Sequence, residues 1–207
     1  MKGRTLLLLG AWLAFVVLGT TYVMKAVGKR AAMFKQVTEG EARAAEAVGR
    51  LQASLKARLT EAMQSGGPAA AIEVCAEAAQ PLTEELRGDA GFFVGRTALR
   101  LRNPSNAPDD FVLEWMAKAA SRSSAAAPLE AATKVEEFID GDRLLHFWQP
   151  IYLGAQCLAC HGSAEQIPAE VRALLADEYP DDRATGFAEG DFRGVFVARV
   201  PLPKIGG

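Results

Sequence analysis

Between residues 32 and 65 apolar side chains recur at three- and four-residue steps: Val37, Ala44, Val48, Leu51, Leu55, Leu59 and Met63. That spacing predicts one long amphipathic helix, with Glu41 as the polar break in its stripe. Gly66-Gly67-Pro68 then punctuates the pattern. Glycine suits the cap that ends a helix, and proline the first turn of the next. The second helix sets Ile72, Cys75, Ala79 and Leu82 on one face and is expected to run to about Leu86 and stop at Gly88. Pro81 threatens to end or kink it early.

Downstream the period changes. Residues 91–101 are β-like through Phe92, Phe93 and Val94, with Arg96, Arg100 and Arg102 crowding the far end. Asn103-Pro104-Ser105-Asn106-Ala107-Pro108 predicts a rigid polar loop. Asp109 and Asp110 sit where negative charge favours a helix N-terminus. The helix that follows turns Phe111, Trp115, Met116 and Ala119 toward a core, and residues 121–128 form a small-residue connection. Residues 134–139 and 143–153 flank Asp140-Gly141-Asp142, a strong hairpin signal. A short helix is expected over 168–178. A final strand is expected over 192–200, after the turn Glu189-Gly190-Asp191. A helical first half and an antiparallel sheet in the second half make the fold class α+β. No internal repeat is visible.

The chain has 207 residues, and its first stretch stands outside this pattern. Residues 5–24 carry no charge, and a helix of twenty residues spans about 30 Å, the thickness of a bilayer core. A cleaved signal peptide is the competing reading. An uncleaved anchor is favoured, because the run is long and no clear Ala-x-Ala site closes it. The expected division is therefore 1–31 as membrane anchor or signal segment and 32–207 as one domain with a single core. Lys2 and Arg4 precede the run while Lys25, Lys29 and Arg30 follow it, so the positive-inside bias does not choose a topology. Net charge is −2, which gives no electrostatic reason to expect nucleic acid.

Chemistry enters with Cys157-Leu158-Ala159-Cys160-His161. Two thiols at this spacing, followed directly by histidine, mark covalent attachment of a c-type haem. The thiols reach two vinyl groups of one porphyrin, and the histidine then lies under the iron. Gly162 lets the backbone leave the haem face. A zinc site is disfavoured, since it needs four ligands and the chain offers three cysteines and two histidines. A thioredoxin-like pair gives no role to His161. Covalent haem attachment takes place outside the cytoplasm, which points to the periplasmic side of the membrane, or to the periplasm if the segment is cleaved. Cys75 is then the odd thiol, without a disulfide partner. An ordinary small cytochrome c is mostly helical with its motif near the start; here the motif follows a hairpin, late in the chain.

Several segments together resemble a known family. They are Ala71-Ile72-Glu73-Val74-Cys75, then Gly95 through Asp110 with its Arg102-Asn103-Pro104-Ser105-Asn106-Ala107-Pro108 core, then Gln149-Pro150-Ile151 leading to Cys157 through Gly162, and Gly190-Asp191-Phe192-Arg193-Gly194. In this order they are similar to the PAS-like single-haem c-type domain family, formerly a domain of unknown function, found alone or ahead of bacterial sensor kinases. The resemblance implies a five-stranded PAS-like sheet with flanking helices, one covalent haem c, and an unusual second axial ligand. That ligand is a cysteine from the N-terminal helical part, a position that Cys75 alone matches.

Candidate iron ligands are thus His161 and Cys75, with His146, Met63 and Met116 as weaker sixth-ligand candidates. His146 lies between Leu144 and Trp148 on a strand face and reads more simply as a hydrogen-bonded histidine, and the methionines as core filling. A thiolate would lower the reduction potential, and its protonation and departure on reduction would make a switch. Arg96, Arg100 and Arg102 suit haem propionates, Arg96 first. A membrane-anchored redox or haem-based sensor is expected, slightly ahead of an electron-transfer cytochrome. An enzyme, such as a small peroxidase or a nitric-oxide-handling protein, would need an open distal site that a cysteine ligand blocks. Expected partners are the membrane and an unidentified redox or signalling protein, with no nucleic acid. A homodimer through N-terminal helices is compatible with the sequence.

Overall fold

The computed structural model describes residues 2–122 and 128–205. The small-residue connection predicted over 121–128 lies mostly outside the described residues. Helix α1 runs from Lys2–Glu77 with non-helical backbone at Gly67, and α2 covers Ala79–Ala90. Strand β1 is Phe93–Thr97, followed by a 3₁₀ turn at Pro104–Asn106 and helix α3, Asp110–Arg122. The predicted hairpin is β2, Ala132–Glu137, and β3, Arg143–Tyr152. A 3₁₀ turn at Ala155–Cys157 enters the short helix α4, Leu158–His161; α5 is Ala169–Glu178 and β4 is Phe192–Leu202.

The four strands form one antiparallel sheet in the order β1-β4-β3-β2. The five-stranded sheet implied by the resemblance is therefore corrected to four strands among the described residues. After β1 the chain meets Pro104 and Pro108, which have no amide to donate to a ladder, and it forms a 3₁₀ turn instead.

Helices cover both faces of this sheet. On one face Ala44, Val48 and Leu51 of α1 and Leu86 of α2 pack on Val94, Leu145, Phe147, Phe196, Ala198 and Val200. On the other, Val112 and Met116 of α3 pack on Trp148, Val195 and Val197. Alternation along β4 assigns Val195 and Val197 to one layer and Phe196 and Ala198 to the other, as a strand period of two demands. Each fully buried aliphatic side chain here contributes about 1.5–3 kcal/mol. α1 carries the stripe predicted from spacing, and Glu41 escapes it by accepting from the Thr133 hydroxyl at 2.6 Å.

Gly66-Gly67-Pro68 separates two helical runs, as read from the sequence: Gly67 takes φ 70° and ψ −162°, and the second run begins at Pro68 and reaches Glu77. Two boundaries further on differ from the sequence reading. Pro81 falls in the first turn of α2, where a missing amide costs little. Gly88 does not stop α2; Gly91 caps it in the left-handed conformation, its amide bonded to Arg87 and Gly88 carbonyls. Asp109 caps α3 through the Val112 amide at 2.8 Å. Among the described residues no helix is long and apolar enough to cross a membrane. The expected anchor forms the start of α1, and most side chains of its first half lie outside the described residues.

Candidate functional site

Residues 155–161 make one continuous helical turn, so Cys157, Cys160 and His161 stand at i, i+3 and i+4 and share a side of it. The turn is anchored at its start where the hairpin ends. The Leu153 amide donates to the Asp191 carbonyl at 3.1 Å, and the Gly190 amide donates to the Leu153 carbonyl at 2.7 Å. It closes where the Gly162 amide donates to the Leu158 carbonyl at 2.9 Å. A Cβ on Gly162 would sit 2.6 Å from that carbonyl oxygen, so the position needs glycine for space.

The loop after α5 then wraps the motif. The Phe187 amide donates to the His161 carbonyl at 2.9 Å, and the Gly186 amide to the Gly162 carbonyl at 2.6 Å. His161 Nδ1 donates to the Ala184 carbonyl at 2.6 Å. This bond fixes the tautomer and leaves Nε2 bare, the atom and protonation state that a metal takes. Burial, with Arg102 and Arg193 nearby, pushes the His161 pKa down to about 3, so the ring is neutral at physiological pH. The Phe187 ring stands edge-on to it, centroids 6.4 Å apart.

Arg102 and Asp182 bracket loop and motif together. Arg102 Nε donates to Asp182 at 3.0 Å and Nη2 to the Cys160 carbonyl at 2.5 Å. The other Asp182 oxygen accepts the Ala184 amide at 2.7 Å. Both side chains are largely withdrawn from water.

Cys75 comes from the second helical run of α1. Beyond the Gly67 bend, α1 lays Ile72 and Ala76 against Ile167, Val171, Leu175 and Tyr179, and Cys160 packs on the same cluster. Helix α1 thereby brings Cys75 within electrostatic reach of Cys160, Arg96 and Arg102. Burial pushes the Cys75 thiol up, and the two guanidiniums pull it back. The Cys160 thiol is likewise raised by burial, with Arg102 opposing. All three cysteines are free thiols.

Arg96, on β1, has no hydrogen bond or ion pair among the described residues, while burial lowers its pKa against the pull of Cys75 and Tyr179. Arg100 and Arg102 are committed. Arg100 Nε donates to the Arg183 carbonyl at 2.9 Å, and its guanidinium lies 3.9 Å from the centre of the Phe187 ring. Of the three arginines singled out in the sequence, only Arg96 is uncommitted and close in charge to Cys75.

The remaining ligand candidates fall elsewhere. His146 Nε2 meets Glu136 at 3.0 Å and its ring packs on Phe111, on the α3 side of the sheet. Met116 is fully buried in the α3 core. Met63 is half-buried on α1 before the bend. Asn103 accepts the Ser105 amide and Asn106 accepts from Gln80, so both shape the loop as expected. Among the described residues no group of three or more His, Cys, Asp or Glu could hold a bare metal ion.

Sequence reasoning missed Asp182, the Ala184 carbonyl, Phe187, Tyr179 and the packing role of Arg193, whose Nη1 donates to the Arg100 carbonyl at 2.9 Å. The available signal was Asp182, two residues before the amide it caps, a local turn pattern of aspartate.

No curated protein matches the chain. The crystal structure of the cyanobacterial haem protein Tll0287 is 29% identical, over 60% of this chain and 72% of that one, with a TM-score of 0.48. The Tll0287-like family model matches residues 21–201, which bears out the resemblance read from the sequence. A match that takes in both the helical half and the sheet places the chain in that group: it belongs to the Tll0287-like family.

Proposed function

We propose that this chain is a haem protein holding one covalent haem c through Cys157 and Cys160, with His161 and Cys75 as axial ligands, and that it acts as a redox or haem-based sensor. The observation that carries this is His161: its Nδ1 is tied to Ala184, its Nε2 is bare, and two free thiols share its side of one helical turn. Membership of a family whose namesake is a haem protein supports the cofactor. When bound, the haem supplies a one-electron redox couple. The chain supplies the rest. Cys75 gives a sulfur donor whose thiol is pushed up by burial, with Arg96 and Arg102 pulling the other way. Arg96 is the uncommitted cation for a propionate. Were His161 and Cys75 both to hold the iron, no position on it would be left for substrate, so the reading is non-enzymatic.

Electron transfer is the second reading. It is favoured by exposed Arg100 and Arg183 beside the His161 loop, which offer a docking patch for an acidic redox partner. In both readings the N-terminal run anchors the chain on the periplasmic side of a membrane.

The test is the absorption spectrum of the full chain, oxidised and reduced, after expression in a host with c-type haem maturation. A haem spectrum that survives denaturation, with a thiolate-type ferric form, upholds the assignment. A histidine–methionine spectrum keeps the haem, discards Cys75 and favours simple electron transfer. Absence of covalent haem overturns the reading.

A further inference from the structure

Arg102 is placed to do more than hold the motif in register. Its Nη2 donates to the Cys160 carbonyl at 2.5 Å and reaches the Ala184 carbonyl at 3.5 Å. The Ala184 oxygen is the same atom that accepts from His161 Nδ1 at 2.6 Å. One guanidinium therefore touches the backbone of the attachment turn and shares the acceptor of its histidine. Its charge bears on Cys75, Cys160 and His161 alike. Asp182 is its counter-charge, accepting from Nε at 3.0 Å, with side-chain exposures of 13% and 9% for the two partners. So far from water, each charge is felt strongly by its neighbours.

We infer that Arg102 and Asp182 form an opposed pair that sets the reduction potential of the haem, Arg102 raising it and Asp182 lowering it. The inference deepens the haem reading and rests on it. Loss of one electron adds positive charge at the site. A cation fixed beside both axial ligands opposes that change, and a carboxylate favours it. Arg102 also acts through His161 as a positioning residue. The bond from Nδ1 to a carbonyl makes the ring a stronger donor to the iron. A guanidinium drawing on the same oxygen weakens that bond, which again favours the reduced state. The two routes share one sign.

The experiment is a redox titration of the full, haem-loaded chain, with absorption spectra of both states. Arg102→Gln should lower the ferrous-to-ferric ratio at a given poise about tenfold, or about 59 mV for one electron. Asp182→Asn, which leaves the guanidinium without its counter-charge, should move the ratio upward. The double variant should return toward the parent, because neither charge remains. Arg102→Lys keeps the charge and should recover most of the loss. A merely structural role would move both single variants the same way, since loosening the turn exposes the haem in either. Shifts of one sign, no shift, an equal fall in Arg102→Lys and Arg102→Gln, or a changed type of ferric spectrum in Arg102→Gln would overturn the inference and leave the haem reading standing. Absence of covalent haem in the parent chain would overturn both.

Discussion

Asp182 shows how much of the site depends on one carboxylate. It faces a largely buried guanidinium and also caps the amide of the residue whose carbonyl orients His161. Asp182→Asn leaves that guanidinium without its counter-charge, and the expected loss is about 3 kcal/mol, the lower end for breaking a buried pair. Glu84→Gln, at an ion pair with an exposed carboxylate, should cost under about 1 kcal/mol. Urea midpoints of the two variants separate the cases. Cys75→Ser should keep covalent haem while changing the ferric spectrum; spectra identical to the parent in both redox states would remove Cys75 as a ligand. At this scale the sequence was most legible where chemistry is local. Cys157, Cys160 and His161 announce themselves by adjacency, whereas Asp182 and Ala184 matter through contacts with residues 80 and 23 positions away.

Elements follow local rules wherever a turn or cap decides them. The Asp140-Gly141-Asp142 turn forms as expected, with Gly141 at φ 81° and the Asp142 amide bonded to the Asp140 side chain. Asp109→Ala removes both the cap on α3 and the partner of Arg199, and should cost about 1–2 kcal/mol in chemical denaturation. Helix ends were legible at Gly67, which separates two helical runs as read, but not at Gly88, which α2 runs through before Gly91 caps it. Gly67 is the instructive position. Its left-handed φ is strained for any side chain, so Gly67→Ala should destabilise by about 1–3 kcal/mol. It should also shift the ferric spectrum of the haem-loaded chain, since the segment beyond the bend carries Cys75. An unchanged spectrum would show that the bend does not set the position of Cys75.

For the whole molecule, the α+β class was readable from two hydrophobic periods, but the strand order was not. A hairpin pairs neighbours in sequence, while β1 and β4 pair across much of the domain, and nothing local encodes that register. Leu51→Ala, in the layer where α1 meets the sheet, should cost about 2–5 kcal/mol and lower thermal stability accordingly. The length of α1 has one further consequence. Its Gln36 accepts from Arg143 at 2.7 Å, tying the helix to the domain, and residues 25–32 before it are exposed. At 1.5 Å per residue, Lys25 to Gln36 is a stalk of roughly 17 Å. If residues 5–24 sit in a bilayer, the globular part is held clear of the lipid headgroups on a rigid spacer. Its natural correspondent is then a protein that rises a similar height above the membrane, and not one buried within it.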